Sequence, residues 1–248
     1  MSENQAIIRS WQDEDPAVGH DNAIIWRVLN AKKPGEEEPH YCLNNLRGIT
    51  RHALQGRQDS DNHKHDNAEQ CYYILSGSGE VLIGDKKYPV QEGSITYFPP
   101  KVPHQLLGKH QNDWIEHLVI TCQVEGEGSE PRVVNWRDVS PICMHGSAVN
   151  WSLLEPFDRK KSRTSQPCLL GMRGLGRQAL TKGKGSNYHK HDNGEQSYYI
   201  LEGNATMVID DQLHQVSEGD AVYLPPGTLH NIINENYDGW MSYLIISS

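Results

Sequence analysis

The chain has 248 residues, of which 36% are hydrophobic and 22% charged, and a formal charge of -9 at neutral pH. That length accommodates one large domain or two small ones, and the composition is that of a folded chain rather than a disordered one. The acidic balance argues against nucleic acid as a partner, because a phosphate backbone is repelled over most of the surface, and no apolar run approaches the ~20 residues of a membrane-spanning helix. The opening MSENQAIIRSWQDED lacks the basic-then-apolar profile of a signal peptide, so the expected location is cytoplasmic and no membrane partner is expected. Cys42, Cys71, Cys122, Cys143 and Cys168 include no CxxC pair and read as free thiols. With 13 histidines and little cysteine clustering, a bound metal would be held mainly by imidazole and oxygen.

In chain order, runs rich in Val, Ile and Tyr stand at residues 72–84 (YYILSGSGEVLIG), 93–100 (GSITYFPP), 114–122 (WIEHLVITC), 197–210 (SYYILEGNATMVID) and 240–247 (WMSYLIIS). Gly, Pro, Asn and Asp separate them at short intervals, and no long helical periodicity intervenes. The pattern predicts an all-β chain built from antiparallel barrels.

Residues 63–77, HKHDNAEQCYYILSG, return at 189–203 as HKHDNGEQSYYILEG, an offset of 126. The match extends outward: Arg47 meets Arg173, Arg51 meets Arg177, Gly93 meets Gly219, Pro99 meets Pro225, His104 meets His230 and Trp114 meets Trp240. AIIWRVL around Trp26 returns as AVNWSLL around Trp151, at an offset of 125. A tandem duplication predicts two domains of one fold, residues 1–130 and 131–248, joined near EGEGSEPRVVNW.

Side chains two apart on a strand share a face, so His63 and His65 can ligate one ion together, and a barrel can bring His104 to it from another strand. His189, His191 and His230 repeat the set. A lone HxH is weak evidence, but two copies followed at an equal interval by a third histidine behind a Pro-rich turn predict a metal site.

These residues resemble the cupin superfamily, whose motifs read G(x5)HxH(x3-4)E(x6)G and G(x5)PxG(x2)H(x3)N. Gly183, His189, His191 and Gly203 fit the first, and Gly219, Pro225, Gly227, His230 and Asn234 the second. The N-terminal half has Arg57, Lys101 and Gly108 where the pattern has Gly, Gly and Asn. The resemblance implies a bicupin of two tandem jelly-roll, or double-stranded β-helix, barrels. Its fourth ligand is in question, since Gln70 and Gln196 are separated by six residues from Gly77 and Gly203, with Glu69 and Glu195 one place earlier. Neighbouring strand residues face opposite ways unless a bulge intervenes, so only one of each pair can point inward. Similar cupins that end this motif in EQ use the amide, which favours Gln70 and Gln196. Glu69 and Glu195 stay open as the alternative.

Arg51 and Arg177, with Arg47 and Arg173, stand upstream of the histidines, where a barrel-lining guanidinium would clamp a carboxylate and an outward one would pair on the surface. Tyr72 and Tyr198 can face inward as proton donors, and His117 is a candidate acid or base. The recurring tryptophans, Trp26, Trp114, Trp151 and Trp240, read as packing anchors. One divalent transition metal per domain is expected, Fe2+ first, with Mn2+, Ni2+, Co2+, Cu2+ and Zn2+ accepted by the same ligands. The leading expectation is a metal-dependent enzyme acting on a small oxygenated anion, specifically a non-haem dioxygenase. An isomerase, lyase or hydrolase and a non-enzymatic binder are the alternatives. If one half alone is active, the C-terminal one keeps the family's glycines. Edge strands allow a homodimer.

Overall fold

The computed structural model describes residues 5–109, 113–158 and 166–248. Nearly every apolar run is a strand, because β-branched and aromatic side chains fit a pleated surface and the intervening glycines, asparagines and prolines turn the chain. Among the described residues, helical hydrogen bonding is confined to two 3-10 turns, Trp11–Asp13 and Trp136–Asp138.

The N-terminal half builds a long antiparallel sheet in the order Arg132–Asn135, Ser94–Phe98, Ala68–Ser76, Ile115–Gln123, Leu46–Leu54, Ala23–Ala31 and Ala17–Gly19. A smaller sheet of His104–Leu107, Ser78–Ile83 and Lys86–Gln91 packs against it through Leu54, Ile74, Val81, Phe98 and Leu106. The C-terminal half repeats the plan with Ile7–Ser10, Asp220–Leu224, Gln196–Glu202, Met241–Ser247, Gly174–Leu180, Ala148–Pro156 and Ile142–Met144. Its smaller sheet holds Lys184–Gly185, His230–Asn234, Asn204–Ile209 and Gln212–Ser217. Each sheet pair closes a jelly-roll barrel, so the chain is all-β with two tandem barrels.

The strand that precedes each half in sequence joins the other half. Ile7–Ser10 pairs with residues 220–223, and Arg132–Asn135 pairs with residues 94–97. A division between residues 130 and 131 therefore falls where hydrogen bonds cross between the halves in both directions.

Both faces of the long sheets are buried. Odd-numbered residues of Ala68–Ser76, including Cys71 and Tyr73, enter a core shared by the halves, in which Leu46, Ile49 and Ile120 pack with Met172, Leu175, Tyr199 and Ile246. Even-numbered residues, including Tyr72 and Ile74, line the barrel. Such strands read as continuous apolar runs rather than as alternation. The cysteines are free, four of them buried and Cys143 exposed. Trp26 and Trp151 meet Trp11 and Trp136 edge to face at 5.0 and 5.1 Å, whereas Trp114 and Trp240 are 44% and 51% exposed and do not act as buried anchors. Among the described residues no helix is long and apolar enough to cross a membrane.

Candidate metal centres

Each third histidine reaches the first through backbone pairing. His63 and His104 form an isolated antiparallel bridge, with N–H to carbonyl distances of 3.2 and 2.8 Å, and His189 and His230 match it at 3.0 and 2.8 Å. The second histidine is tied to the Pro-rich turn, since Lys101 N donates to His65 O (2.7 Å) and Gly227 N to His191 O (2.8 Å). The potential ligand atoms of His63, His65 and His104, and likewise of His189, His191 and His230, all lie within 4.8 Å of one another.

The free ring nitrogens fit a metal. Nδ1 of His104, His189 and His230 pairs with the carbonyls of Val102, Asn187 and Thr228 at 3.1, 2.8 and 2.9 Å, leaving Nε2 for an ion. Nε2 of His63, His65 and His230 is buried and has no hydrogen-bond partner, and Nε2 atoms of His189 and His191 converge to 3.1 Å. Burial lowers His104 to about 3 and His230 to about 4, so both are neutral ligands at pH 7.

Gln70 stands with the histidines, and Gln196 lines a cavity with His191 while its Oε1 accepts from Tyr198 Oη at 3.4 Å. Gln70 Nε2 donates to Thr121 Oγ1 (3.0 Å), which turns Oε1 toward His104 Nε2 at 3.0 Å. Gln196 repeats the anchor, donating to Ser247 Oγ at 3.2 Å. Glu69 and Glu195 point the opposite way, into the other half. Glu69 accepts from the backbone N–H groups of Leu170, Gly171 and Met172 at 2.7, 2.9 and 2.8 Å. Glu195 accepts from Asn44, Asn45 and Leu46 at 2.9, 2.9 and 3.3 Å. The Glu-Gln pair thus uses both faces of one strand, the amide for the centre and the carboxylate for a clamp between barrels.

Tyr72 is buried beside Phe98 (4.6 Å), His117 (5.0 Å) and His104 (5.9 Å), while Tyr198 meets Tyr243 (5.2 Å) and His230 (5.9 Å). Burial raises both phenols well above their ordinary value. His117 is 3% exposed and also lies inside the barrel. Arg51 and Arg177 require a correction. Arg51 donates to Tyr199 Oη (3.0 Å), pairs with Glu116 and stacks on Trp11, and Arg177 donates to Tyr73 Oη and Ser242 Oγ (both 2.9 Å) and stacks on Trp136. Both line a cavity of about 340 Å3 between the halves rather than either centre. The cause is strand alternation: His52 and Gln178 take the inward faces, so their neighbours Arg51 and Arg177 turn out. Arg47 and Arg173 lie closer to the centres, Arg47 acting electrostatically on His65 and Arg173 lining a cavity of about 170 Å3 with Gln196.

Sequence reasoning missed His20 and His145. They stack on His63 and His189 at 4.6 and 5.2 Å from left-handed backbone (φ 47° and 52°), and their offset of 125 was the available signal. Asp61 Oδ1 binds Nδ1 of both His20 (2.8 Å) and His63 (3.1 Å); the matching residue is Asn187.

A family model described as Cupin domain matches residues 51–113 and 176–246, more than half of the chain. A Pseudomonas aeruginosa structure described as a glyoxylate-induced protein superposes with TM-score 0.76 at 16% identity, covering 100% of this chain and 88% of that one. Escherichia coli pirin YhhW, solved with nickel(II), gives 0.70 at 17% identity over 98% of both chains. Bacillus subtilis oxalate decarboxylase, with Mn(II) centres, gives 0.69 at 17%, covering 99% of this chain and 79% of that one. At these identities the likeness shows the fold alone. An uncharacterised protein of Methanocaldococcus jannaschii is 48% identical over 46 residues, 18% of this chain and 37% of that protein's length.

Proposed function

The chain belongs to the Cupin domain family as a two-barrel member, a bicupin, and from that premise we propose a metal-dependent enzyme acting on a small oxygenated anion, specifically a non-haem dioxygenase. The observation that carries this reading is the charge of the donor sets. The N-terminal set offers three imidazoles and the amide oxygen of Gln70, the C-terminal set three imidazoles with Gln196 beside His191, and the nearby Glu69 and Glu195 are committed to the other barrel. A divalent ion bound there keeps its double charge, attracts a chelating anion and polarises its carbonyl or enol, and with Fe2+ supplies oxygen chemistry.

The protein's own groups hold and shield this arrangement. Thr121 and Ser247 orient the amides, backbone carbonyls fix the imidazole tautomers, and Phe98, stacked on His104 at 4.2 Å, excludes water from one side. Tyr72 supports a second reading: a buried, un-ionised phenol beside the donor set can donate a proton to a developing oxyanion, as an isomerase, lyase or hydrolase requires.

Elemental analysis of anaerobically purified protein, followed by oxygen uptake after iron loading with a panel of enolisable and phenolic acids, tests the proposal. Iron with substrate-dependent uptake supports the dioxygenase. Stoichiometric Mn, Ni or Zn without uptake moves the reading to Lewis-acid catalysis or to binding without turnover, and absence of metal overturns it.

A further inference from the structure

The barrels share a donor set but differ along the inner wall behind it. In the C-terminal barrel that wall is closed by its own hydrogen bonds. Tyr243 Oη donates to Gln178 Oε1 (2.7 Å), Gln178 Nε2 to Asn150 Oδ1 (3.2 Å) and Asn150 Nδ2 to Ser152 Oγ (3.2 Å). At the positions of Tyr243 and Gln178 the N-terminal barrel has His117 and His52. His52 Nε2 pairs with Thr50 Oγ1 at 2.9 Å, but His117 Nδ1 is enclosed and has no hydrogen-bond partner. Buried polar atoms are rarely left this way, and one kept open where the duplicate barrel has closed its counterpart calls for a specific explanation.

His117 is also well placed. Its ring lies 5.2 Å from His52 and 5.0 Å from Tyr72, and Tyr72 in turn meets His104 at 5.9 Å. One aromatic ring therefore separates it from the donor set. These contacts include no carboxylate and no guanidinium, so an ionised group buried against His117 would lack a counter-charge. Burial, reinforced by the charge of His20 and opposed by the Ile115 carbonyl, lowers His117 to about 3, so it is a neutral partner.

We propose that the N-terminal barrel takes the substrate, and that His117 hydrogen-bonds an uncharged hydroxyl or carbonyl at its inner end while its chelating oxygens face His63, His65 and His104. This rests on the reading of the chain as a metal-dependent enzyme and narrows its substrate to a chelating anion with an added uncharged oxygen. The C-terminal barrel, with its wall closed, holds its ion without offering that contact. The family's glycines, which favoured the C-terminal half in the sequence, bear on backbone turns and not on this wall.

The test uses full-length single-centre variants, His191→Ala leaving the N-terminal centre and His65→Ala the C-terminal one. Each is loaded with Fe3+ and titrated with catechol, pyrogallol and 1,2,4-benzenetriol, which differ by one uncharged hydroxyl, and the iron charge-transfer band reports binding. At the N-terminal centre a triol is expected to bind roughly tenfold tighter than catechol, and His117→Phe abolishes that preference. A preference that survives His117→Phe and His117→Gln, or that resides in the C-terminal centre, overturns the inference while leaving the enzyme reading intact. Failure of all three probes at both centres sinks the enzyme reading and the inference with it. A metal-free arm reads the wall directly. His117→Phe removes an unpaired atom and is expected to leave the apoprotein Tm unchanged or raised, whereas Tyr243→Phe strands Gln178 and lowers it by roughly 2–4 °C. Equal losses in the two variants overturn the inference.

Discussion

The two barrels reach the same donor geometry over different backbones. At the turn preceding the third histidine the C-terminal barrel uses Gly227 with φ 85°, and the N-terminal barrel holds Lys101 at φ 67°. Before the HxH segment, Gly183 at φ 74° faces Arg57 at φ 63°. Left-handed backbone is unfavourable for side chains other than glycine, so the N-terminal turns carry strain that the surrounding ladder imposes. The comparison teaches that strand pairing, not the glycines, fixes where the ligands stand: both His bridges and both turn-to-histidine hydrogen bonds form regardless. What diverges is the polar wall behind the ligands and the support beneath them, Asp61 in one half and Asn187 in the other.

The largest effect that would break the symmetry of the centres is loss of a ligand. His65→Ala or His191→Ala is expected to lower metal affinity at its own centre by more than about 100-fold and to halve the metal bound per chain, measured by elemental analysis after dialysis. Next comes the clamp. Glu69→Ala strands three backbone N–H groups of residues 170–172, and Glu195→Ala strands those of residues 44–46, so each should destabilise the protein by about 3–5 kcal/mol in urea unfolding. Equal losses would confirm that the interlock is symmetric where the centres are not.

Acid should then separate the barrels. Burial lowers His52, His65, His104 and His117 in the N-terminal half but only His191 and His230 in the C-terminal half. These groups are neutral when folded, and the unfolded chain binds protons first. Their contribution is therefore fully present above pH ~6.5 and is lost progressively as pH falls toward the folded values of about 3 to 4. In the apoprotein, hydrogen exchange between pH 7 and 5 should show the N-terminal barrel loosening first. The smallest effect concerns the strained turn: Lys101→Gly relieves the left-handed conformation and should change stability by no more than about 1 kcal/mol, in the stabilising direction, by chemical denaturation.

The duplication, the strand runs and the histidine spacing were legible because each is a local or periodic property of the chain. His63 and His65 share a face by the period of a strand, and the repeat placed His104 and His230 alike. The same period separated Gln70 from Glu69 but could not say which face was interior. Here both faces are buried, one in the barrel and one between barrels, so the usual contrast of apolar inside and polar outside is missing. That is also why the sequence left Arg51 and Arg177 open between a barrel-lining clamp and an outward position, where the structure stacks them on tryptophans between the halves.

The amino-acid order alone thus determined two copies of one β unit and their paired sets of imidazoles, since these follow from side-chain periodicity and repetition. Only the tertiary structure decided the exchange of Ile7–Ser10 and Arg132–Asn135, the commitment of Glu69 and Glu195 to the opposite barrel, the stacking of His20 and His145, and the open hydrogen bond at His117. Each depends on which residues far apart in sequence meet, and that is settled by how two sheets whose central strands are buried on both faces pack against one another.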